Sequence, residues 1–190
     1  MSKVTSLTPE AFRRAVEEFR RVQWRRGLSV DEIGSPQRIA PYSLAIAGEL
    51  TDGDSVLSAG RLILLHDPSG NESWEGTFRL VTYARAAVDI DMVADPLLPD
   101  VAWSWLTDAL AGNSCEALRP AGTVTASYGR SFGEMAGEPD SAEVELRSSW
   151  TPVLGPEQPL TNHLLAWQEL LGLVAGVPDL PEGISLLRAQ

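Results

Sequence analysis

The sequence has 190 residues, of which 44% are hydrophobic and 22% charged, a composition typical of a folded domain and not of a disordered or collagen-like chain. There are 26 acidic residues against 15 basic ones, and the resulting net charge of −11 disfavours binding to nucleic acid or to anionic lipid. The single cysteine excludes disulfides within the chain and metal sites that need several cysteines.

Residues 1–27 predict an amphipathic helix that begins after Thr8, because threonine caps helix amino termini and Pro9 is tolerated at the first helical position. One face is apolar and the opposite face is basic. The basic residues are Arg13, Arg14, Arg20, Arg21 and Arg25. Since glutamates lie one turn away on the same helix, we expect a solvated face or one docked on the rest of the chain; a protein partner is the second interpretation and nucleic acid the last.

The amino-terminal region becomes charged at once and lacks the apolar stretch of a signal peptide. No apolar run in the sequence approaches the ~18 residues that a transmembrane helix needs. We therefore expect a cytoplasmic protein that does not bind a membrane.

Residues 28–41 are interpreted as a connector. Three stretches that follow alternate between apolar and polar residues, which predicts half-buried strands, and they lie at 42–47, 56–65 and 77–85. Because turn-forming clusters at 51–54 and 67–71 separate them, consecutive strands are expected to pair as antiparallel hairpins.

The second half of the chain predicts a helix from Asp95 to about Gly112, two more strands and a third helix. The strands lie at 123–128 and 142–150, and the helix at 160–175. Residues 176–190 form a tail punctuated by glycine and proline, expected to drape over the body of the domain. The order α-βββ-α-ββ-α predicts one α+β domain over residues 1–190, with two layers: an antiparallel sheet of about five strands, and helices on one of its faces.

Four stretches of the sequence resemble a known family. They are LLHDPSGNESWEGTFRLVTYARA (64–86), DPLLPDVAWSWLTDAL (95–110), AEVELRSSWTP (142–152) and HLLAWQELL (163–171). Together they are similar to an actinobacterial family, domain of unknown function 3000, which implies no activity, cofactor or catalytic residue. The order of elements also resembles the secretion-chaperone-like fold, which implies a small, acidic, dimeric protein that binds other polypeptides.

A possible acid/base centre consists of His66, Asp67 and Glu75, in a cleft beside Trp74. A histidine beside carboxylates can act as a general base, and this combination gives the alternative hypothesis of a small hydrolase or other acid/base enzyme. The favoured interpretation is structural: Asp67 builds the turn and His66 ends the strand. We therefore assign no catalytic residue, and we expect no cofactor and no metal.

The tryptophans point to association. Five of them cannot all lie deep in so small a core, and the helix at 95–112 has a wider apolar arc than a sheet alone would cover. The candidate interface residues are Trp74, Trp103, Trp105, Leu106, Leu110 and Trp167. We expect a non-catalytic protein-binding or chaperone-like module that forms a homodimer or holds a polypeptide partner; the alternative is a tryptophan-rich core closed by the carboxy-terminal tail.

Overall fold

A single antiparallel sheet of six strands organises the chain in the computed structural model, which describes residues 8–36 and 38–177. The strands are β1 Leu28–Ile33, β2 Tyr42–Asp52, β3 Ser55–Asn71, β4 Gly76–Ala87, β5 Ala117–Gly129 and β6 Ser141–Pro152. They lie in the order β1-β2-β3-β4-β6-β5, and every neighbouring pair is antiparallel. Each hairpin alternates its side chains between two faces, so one apolar face is available for helices.

Helices cover one face of this sheet. They are α1 Glu10–Arg21, α2 Ile90–Val93, α3 Leu98–Gly112 and α4 Leu160–Val174, with a short 3-10 helix at Gly133–Met135. α4 lies against the central strands, and α1 and α3 pack beside it. The predicted α+β class, with an antiparallel sheet and helices on one side, is confirmed. The predicted tail lies almost wholly outside the described residues, which end at Val177.

The structure corrects the predictions for the first helix and for the connector that follows it. The interpretation of residues 28–41 as a connector is wrong for its first half, where β1 pairs with β2 at the edge of the sheet. β1 has a partner on one side only and is mostly exposed, so it carries a weak apolar alternation. The first helix ends at Arg21 instead of Gly27, because the backbone is extended at Val22. No side chain caps the start of this helix, so the predicted Thr8 cap is also wrong.

Two glycines of the sheet make room for side chains of α4. Gly48 and Gly60 are paired across β2 and β3. A Cβ atom on Gly48 would lie 2.8 Å from the Trp167 ring, and one on Gly60 would lie 2.6 Å from the Leu171 side chain. The Trp167 indole then donates its N–H to Thr82 Oγ1 over 3.0 Å, with both groups buried. The fully buried Trp167 therefore belongs to the core, and a glycine pair on the sheet makes room for it.

α1 is held on the domain by α4. The half-buried Glu18 carboxylate accepts hydrogen bonds from the backbone N–H of Thr161 at 2.8 Å and from its hydroxyl at 2.9 Å. These bonds satisfy donors in the first turn of α4, a turn that has no cap from its own chain segment. On the other side of α1, Phe12 and Phe19 are buried in the core.

Candidate functional site

The face of the sheet opposite the helices holds a shallow cavity of about 620 Å³ that spans β2, β3, β4 and β6. Strand register places its side chains in rows. The middle row consists of Ala47, Arg61, Tyr83 and Arg147. A second row consists of Glu49, Ala59, Arg85 and Glu145, and a third of Ala45, Ile63, Val81 and Ser149. We call this surface the open face.

Differences in side-chain length create the cavity. Ala47 and Ala59 on neighbouring strands are short, whereas the residues beside them in both rows are long and charged. Ile63 and Val81, which belong to the third row, extend the apolar floor. The result is a small-residue floor framed by guanidinium and carboxylate groups, which lets a second molecule approach the backbone of the sheet closely.

Glu145 fixes two of the framing side chains. It accepts a hydrogen bond of 2.8 Å from the Tyr83 hydroxyl and pairs with Arg147 Nε at 2.8 Å. The Arg147 guanidinium lies 5.4 Å from the centre of the Tyr83 ring, within the range of a cation–π contact. Burial, followed by the bond to Glu145, raises the pKa of Tyr83 above its ordinary value, so its hydroxyl remains a donor near neutral pH. This part of the frame is pre-organised.

The other charges on the open face divide into a paired set and an unpaired set. Arg85 pairs with Glu143 over 3.1 Å. Within residues 8–36 and 38–177, neither Arg61 nor Glu49 has an ion pair or a side-chain hydrogen bond, and both are exposed. Arg61 and Glu49 therefore stand free at the edges of the small-residue floor, and the exposed Asp31 of β1, beside Ala47, likewise has no ion pair among the described residues.

A buried arginine closes one end of the open face. Arg79 donates to Thr151 Oγ1 at 3.1 Å and to Ser149 Oγ at 2.7 Å, and Thr151 donates in turn to the carbonyl of Trp74 at 2.5 Å. Burial, together with repulsion from Arg119, lowers the pKa of Arg79 from its ordinary value. The network ties the tip of the β3–β4 hairpin to β6, which positions Trp74, one of the predicted interface residues, beside the open face.

The predicted acid/base residues are not brought together. The His66 ring is buried on the helix side, stacked on Phe78 with a centroid distance of 4.1 Å, and its Nδ1 donates to the Thr77 carbonyl. Asp67 instead accepts hydrogen bonds from the backbone N–H and the hydroxyl of Ser69 within β3, where the pairing with β4 is irregular between His66 and Asn71. The predicted turn at 67–71 is wrong, because β3 continues to Asn71 and the chain reverses at 72–75. Glu75 pairs with Arg119 across the sheet. Burial lowers the pKa of His66 more than its hydrogen bond raises it, so the ring is neutral at physiological pH.

The predicted interface residues have mixed positions. Leu106, Leu110 and Trp167 are buried in the core between α3, α4 and the sheet, where a partner does not reach them. Trp103 is half-buried against Gly122 of β5. Trp105 is also half-buried and lines a cavity of about 380 Å³ beside the end of α4. The large apolar side chains exposed here are instead Val101 of α3 and Leu97, which immediately precedes the helix.

The predicted basic face lies on the outside of α1. Three of its arginines form exposed ion pairs: Arg14 with Glu10, Arg21 with Glu17, and Arg20 with Glu32 of β1 at 3.8 Å. Arg13 is exposed, whereas Arg25 is half-buried and donates to the Val177 carbonyl at 3.2 Å. Much of this charge is therefore paired within the chain.

Other chemistry has little basis in the described residues. No group of three His, Cys, Asp or Glu side chains within 8–36 and 38–177 could hold a metal ion. Burial, with a smaller effect of Glu169, raises the pKa of Cys115 to about 12, so its thiol carries almost no thiolate at neutral pH. None of the helices described is long and apolar enough to cross a membrane.

The sequence pattern alone did not predict the open face, although it contains a signal. The alternation of β3 and β4 places Arg61, Tyr83 and Arg85 together on one side of the sheet. Which residues are neighbours depends on strand register, and register requires the pairing of strands that are distant in sequence.

Comparison with known proteins gives a family and no function. No curated protein matches the chain, and no solved structure matches it, so the likeness to the secretion-chaperone-like fold remains a prediction. One family model, described as "Protein of unknown function (DUF3000)", matches residues 8–185. The match includes every helix and strand described above, and the chain therefore belongs to the DUF3000 family.

Proposed function

We propose that this chain is a non-catalytic, chaperone-like protein-binding module of the cytoplasm that binds polypeptide on the open face of its sheet. The observation that carries the proposal is the small-residue floor at Ala47 and Ala59 with arginines and a tyrosine held in place around it. Arginine and tyrosine are enriched in protein interfaces, because each combines a large contact area with hydrogen-bonding groups.

The shape of the site supports a polypeptide over a small molecule. The cavity is shallow and spans four strands, whereas small-molecule sites enclose most of the ligand. The charges in and beside it carry no cationic excess: arginines at 61, 85 and 147 are opposed by glutamates at 49, 143 and 145 and by Asp31 of β1, which lies beside Ala47. Such a face gives no attraction for phosphate groups, which disfavours nucleic acid and nucleotides. Arg85 and Arg147 are engaged in ion pairs, and the open face presents no nucleophile beside a base.

Site-specific photo-crosslinking tests the proposal. A photo-crosslinking amino acid replaces Thr123, an exposed residue of β5 in the same row as Arg147, and in a second protein it replaces Asp108, exposed on α3. Both proteins are irradiated in the organism that makes the chain. We expect a discrete protein adduct from position 123 and none from position 108.

Two charge reversals serve as matched variants in that experiment. Arg61→Glu changes the open face, and Arg20→Glu makes the same change of net charge on α1. We expect Arg61→Glu to remove the adduct at position 123 and Arg20→Glu to leave it. No adduct at position 123, or an adduct that survives Arg61→Glu, would overturn the proposal.

A further inference from the structure

Large apolar side chains are exposed on and beside the short helix α2. Ile90 and Met92 of α2 are 46% and 39% exposed, and Leu97 and Val101, just before and within α3, are 62% and 45% exposed. Exposed apolar residues are normally scattered singly over a protein, and a larger group of them marks a contact surface. Because these four side chains bury little, they add little to the stability of the fold.

Two shallow cavities beside α2 form one continuous groove. The first, of about 820 Å³, lies between α2 and the start of β6, and Ile90 and Met92 are among its lining residues. The second is the cavity of about 380 Å³ that Trp105 lines. Met92 lines both cavities together with Val88 and Asp89, so the groove continues around the methionine. We call this surface the α2 groove.

The charged residues that line the α2 groove are all acidic. They are Asp89, Asp91 and Asp140, and no arginine of the described chain joins them. Asp89 and Asp91 are exposed, and neither has an ion pair or a side-chain hydrogen bond within residues 8–36 and 38–177. The sequence supplies no basic residue here, because none occurs between Arg85 and Arg119.

Two arginines that are close to the groove along the chain already have acidic partners. Arg130 Nε lies 3.8 Å from Asp140, whose carboxylate also accepts a hydrogen bond from the Tyr128 hydroxyl. Arg85 pairs with Glu143 over 3.1 Å. The negative charge of Asp89 and Asp91 therefore remains unbalanced by these two groups.

This combination of apolar and acidic groups selects the chemistry of a partner. Apolar side chains bind to the exposed apolar residues, and a flexible side chain such as Met92 adapts to different neighbours. The unpaired Asp89 and Asp91 attract positive charge and repel the phosphates of nucleic acid and of anionic lipid. The carboxylates do not converge on one point, since no group of three or more His, Cys, Asp or Glu in the described part of the chain could hold a metal ion. The groove is also too open to enclose a small molecule.

A second copy of the chain fits the α2 groove less well. It carries the same net charge of −11, which adds negative charge to a negative surface. Its most basic surface is the outer face of α1, where Arg14, Arg20 and Arg21 are already paired with glutamates of their own chain. The charge of the groove therefore favours a different polypeptide, one that supplies free basic groups.

We propose that the α2 groove is a second polypeptide-binding surface, whose partner is a segment that combines apolar side chains with lysine or arginine. The apolar side chains of the segment cover Ile90, Met92 and Trp105, and its basic groups lie against Asp89 and Asp91. The inference goes beyond the proposed function, because the groove is built from α2, α3 and the end of α4 and does not include the arginines and tyrosine that frame the open face.

Selection from a library of random peptides tests the inference. Peptides displayed on phage are selected on the immobilised full-length chain, and the most enriched peptide is synthesised with a fluorescent label. Its dissociation constant is then measured by fluorescence anisotropy. We expect the enriched peptides to combine apolar residues with lysine or arginine and to be poor in acidic residues.

Two variants of the α2 groove are compared with matched controls. Asp91→Lys should raise the dissociation constant by about tenfold or more, whereas Glu72→Lys, the same charge change at the exposed turn before β4, should change it by less than about twofold. Met92→Ser should raise it by about fivefold or more. Its control is Ile39→Ser, which removes an apolar side chain that is 58% exposed near the opposite end of the sheet and should change the constant by less than about twofold. Circular dichroism verifies that each variant is folded.

Arg61→Glu separates the α2 groove from the open face, and we expect it to leave binding of the peptide unchanged. Binding that is lost with Asp91→Lys and kept with Arg61→Glu supports the inference, and any other combination overturns it. A selection that enriches no peptide, or only peptides without basic residues, overturns it as well. The proposed function is judged separately by the crosslink at position 123: a crosslink without peptide binding in the groove leaves the proposed function standing alone, and peptide binding in the groove without a crosslink overturns only the proposed function.

Discussion

His163 is expected to make the fold sensitive to acid. It is completely buried in α4, and its Nδ1 accepts a hydrogen bond of 3.1 Å from the Trp150 indole N–H. Because an indole can only donate, Nδ1 must be unprotonated, and the proton of the neutral ring lies on Nε2. Adding a second proton would break this bond and place a charge in the core. Burial lowers the pKa of His163 to about 4.

The sign and size of the effect follow from that pKa. A histidine in the unfolded chain has a pKa of about 6.5. Between this pH and about 4, the unfolded chain therefore binds a proton at His163 and the folded chain does not. The contribution of the neutral His163 is fully present above pH 6.5 and is lost as the pH falls toward 4. Each unit below 6.5 removes about 1.4 kcal/mol, and the fold should lose about 2 kcal/mol from this group by pH 5.

The variant His163→Asn isolates this contribution. Its amide oxygen takes the approximate position of Nδ1 and can accept from Trp150, but it does not titrate. Free energies of unfolding are measured by urea denaturation of both proteins, in steps from pH 8 to pH 5. We expect a constant difference above pH 7, caused by the smaller side chain, and then a decrease of about 2 kcal/mol in the advantage of the unmodified chain by pH 5. Other titrating groups, His66 included, are shared by both proteins and cancel. Curves that stay parallel down to pH 5 would refute the reasoning.

Three further outcomes are expected. Gly60→Ala should lower the free energy of unfolding, measured by urea denaturation, by about 2 kcal/mol, because the added methyl group would collide with Leu171 of α4. The control Gly34→Ala adds a methyl group with nothing within 4 Å, and its free energy of unfolding should change by less than about 0.5 kcal/mol. Glu18→Ala should lower it by about 1 kcal/mol by uncapping α4, and the exposed Glu17→Ala on the same helix should change it by less than about 0.5 kcal/mol. Cys115 should react with a disulfide reagent at pH 8 at least about a hundredfold more slowly in the folded chain than in urea, and equal rates would show that its thiol is accessible and ordinary.

The fold was predictable where periodicity was strong. β3, β4 and β6 are central and alternate clearly, and all three were predicted near their observed positions. β1 was missed because an edge strand has one hydrogen-bonded neighbour and buries little. The wide apolar arc of α3 has an internal cause: α3 packs against α4 as well as the sheet, and Leu106 and Leu110 are buried in the core, so this apolar surface is not a free interface.

The site was less predictable, for two physical reasons. The proposed acid/base group combined His66 with Asp67, but consecutive residues of a strand point to opposite faces, so period-two reasoning alone separates them. The open face depends instead on which residues become cross-strand neighbours. Ala47 and Arg61 are 14 positions apart and Tyr83 and Arg147 are 64 apart, and only the pairing of whole strands makes them adjacent.

The strand order has a consequence for the speed of folding. β1 to β4 form a meander in which each strand pairs with its successor, so these contacts close short loops. β6 pairs with β4 although α2, α3 and β5 lie between them in the sequence, and this pairing brings together residues as far apart along the chain as Leu80 and Trp150. Closing so long a loop early is entropically unfavourable, which slows folding. We expect the meander to form first and the β4–β6 pairing to be rate-limiting, with fluorescence of the buried Trp150 as the reporter of that late step.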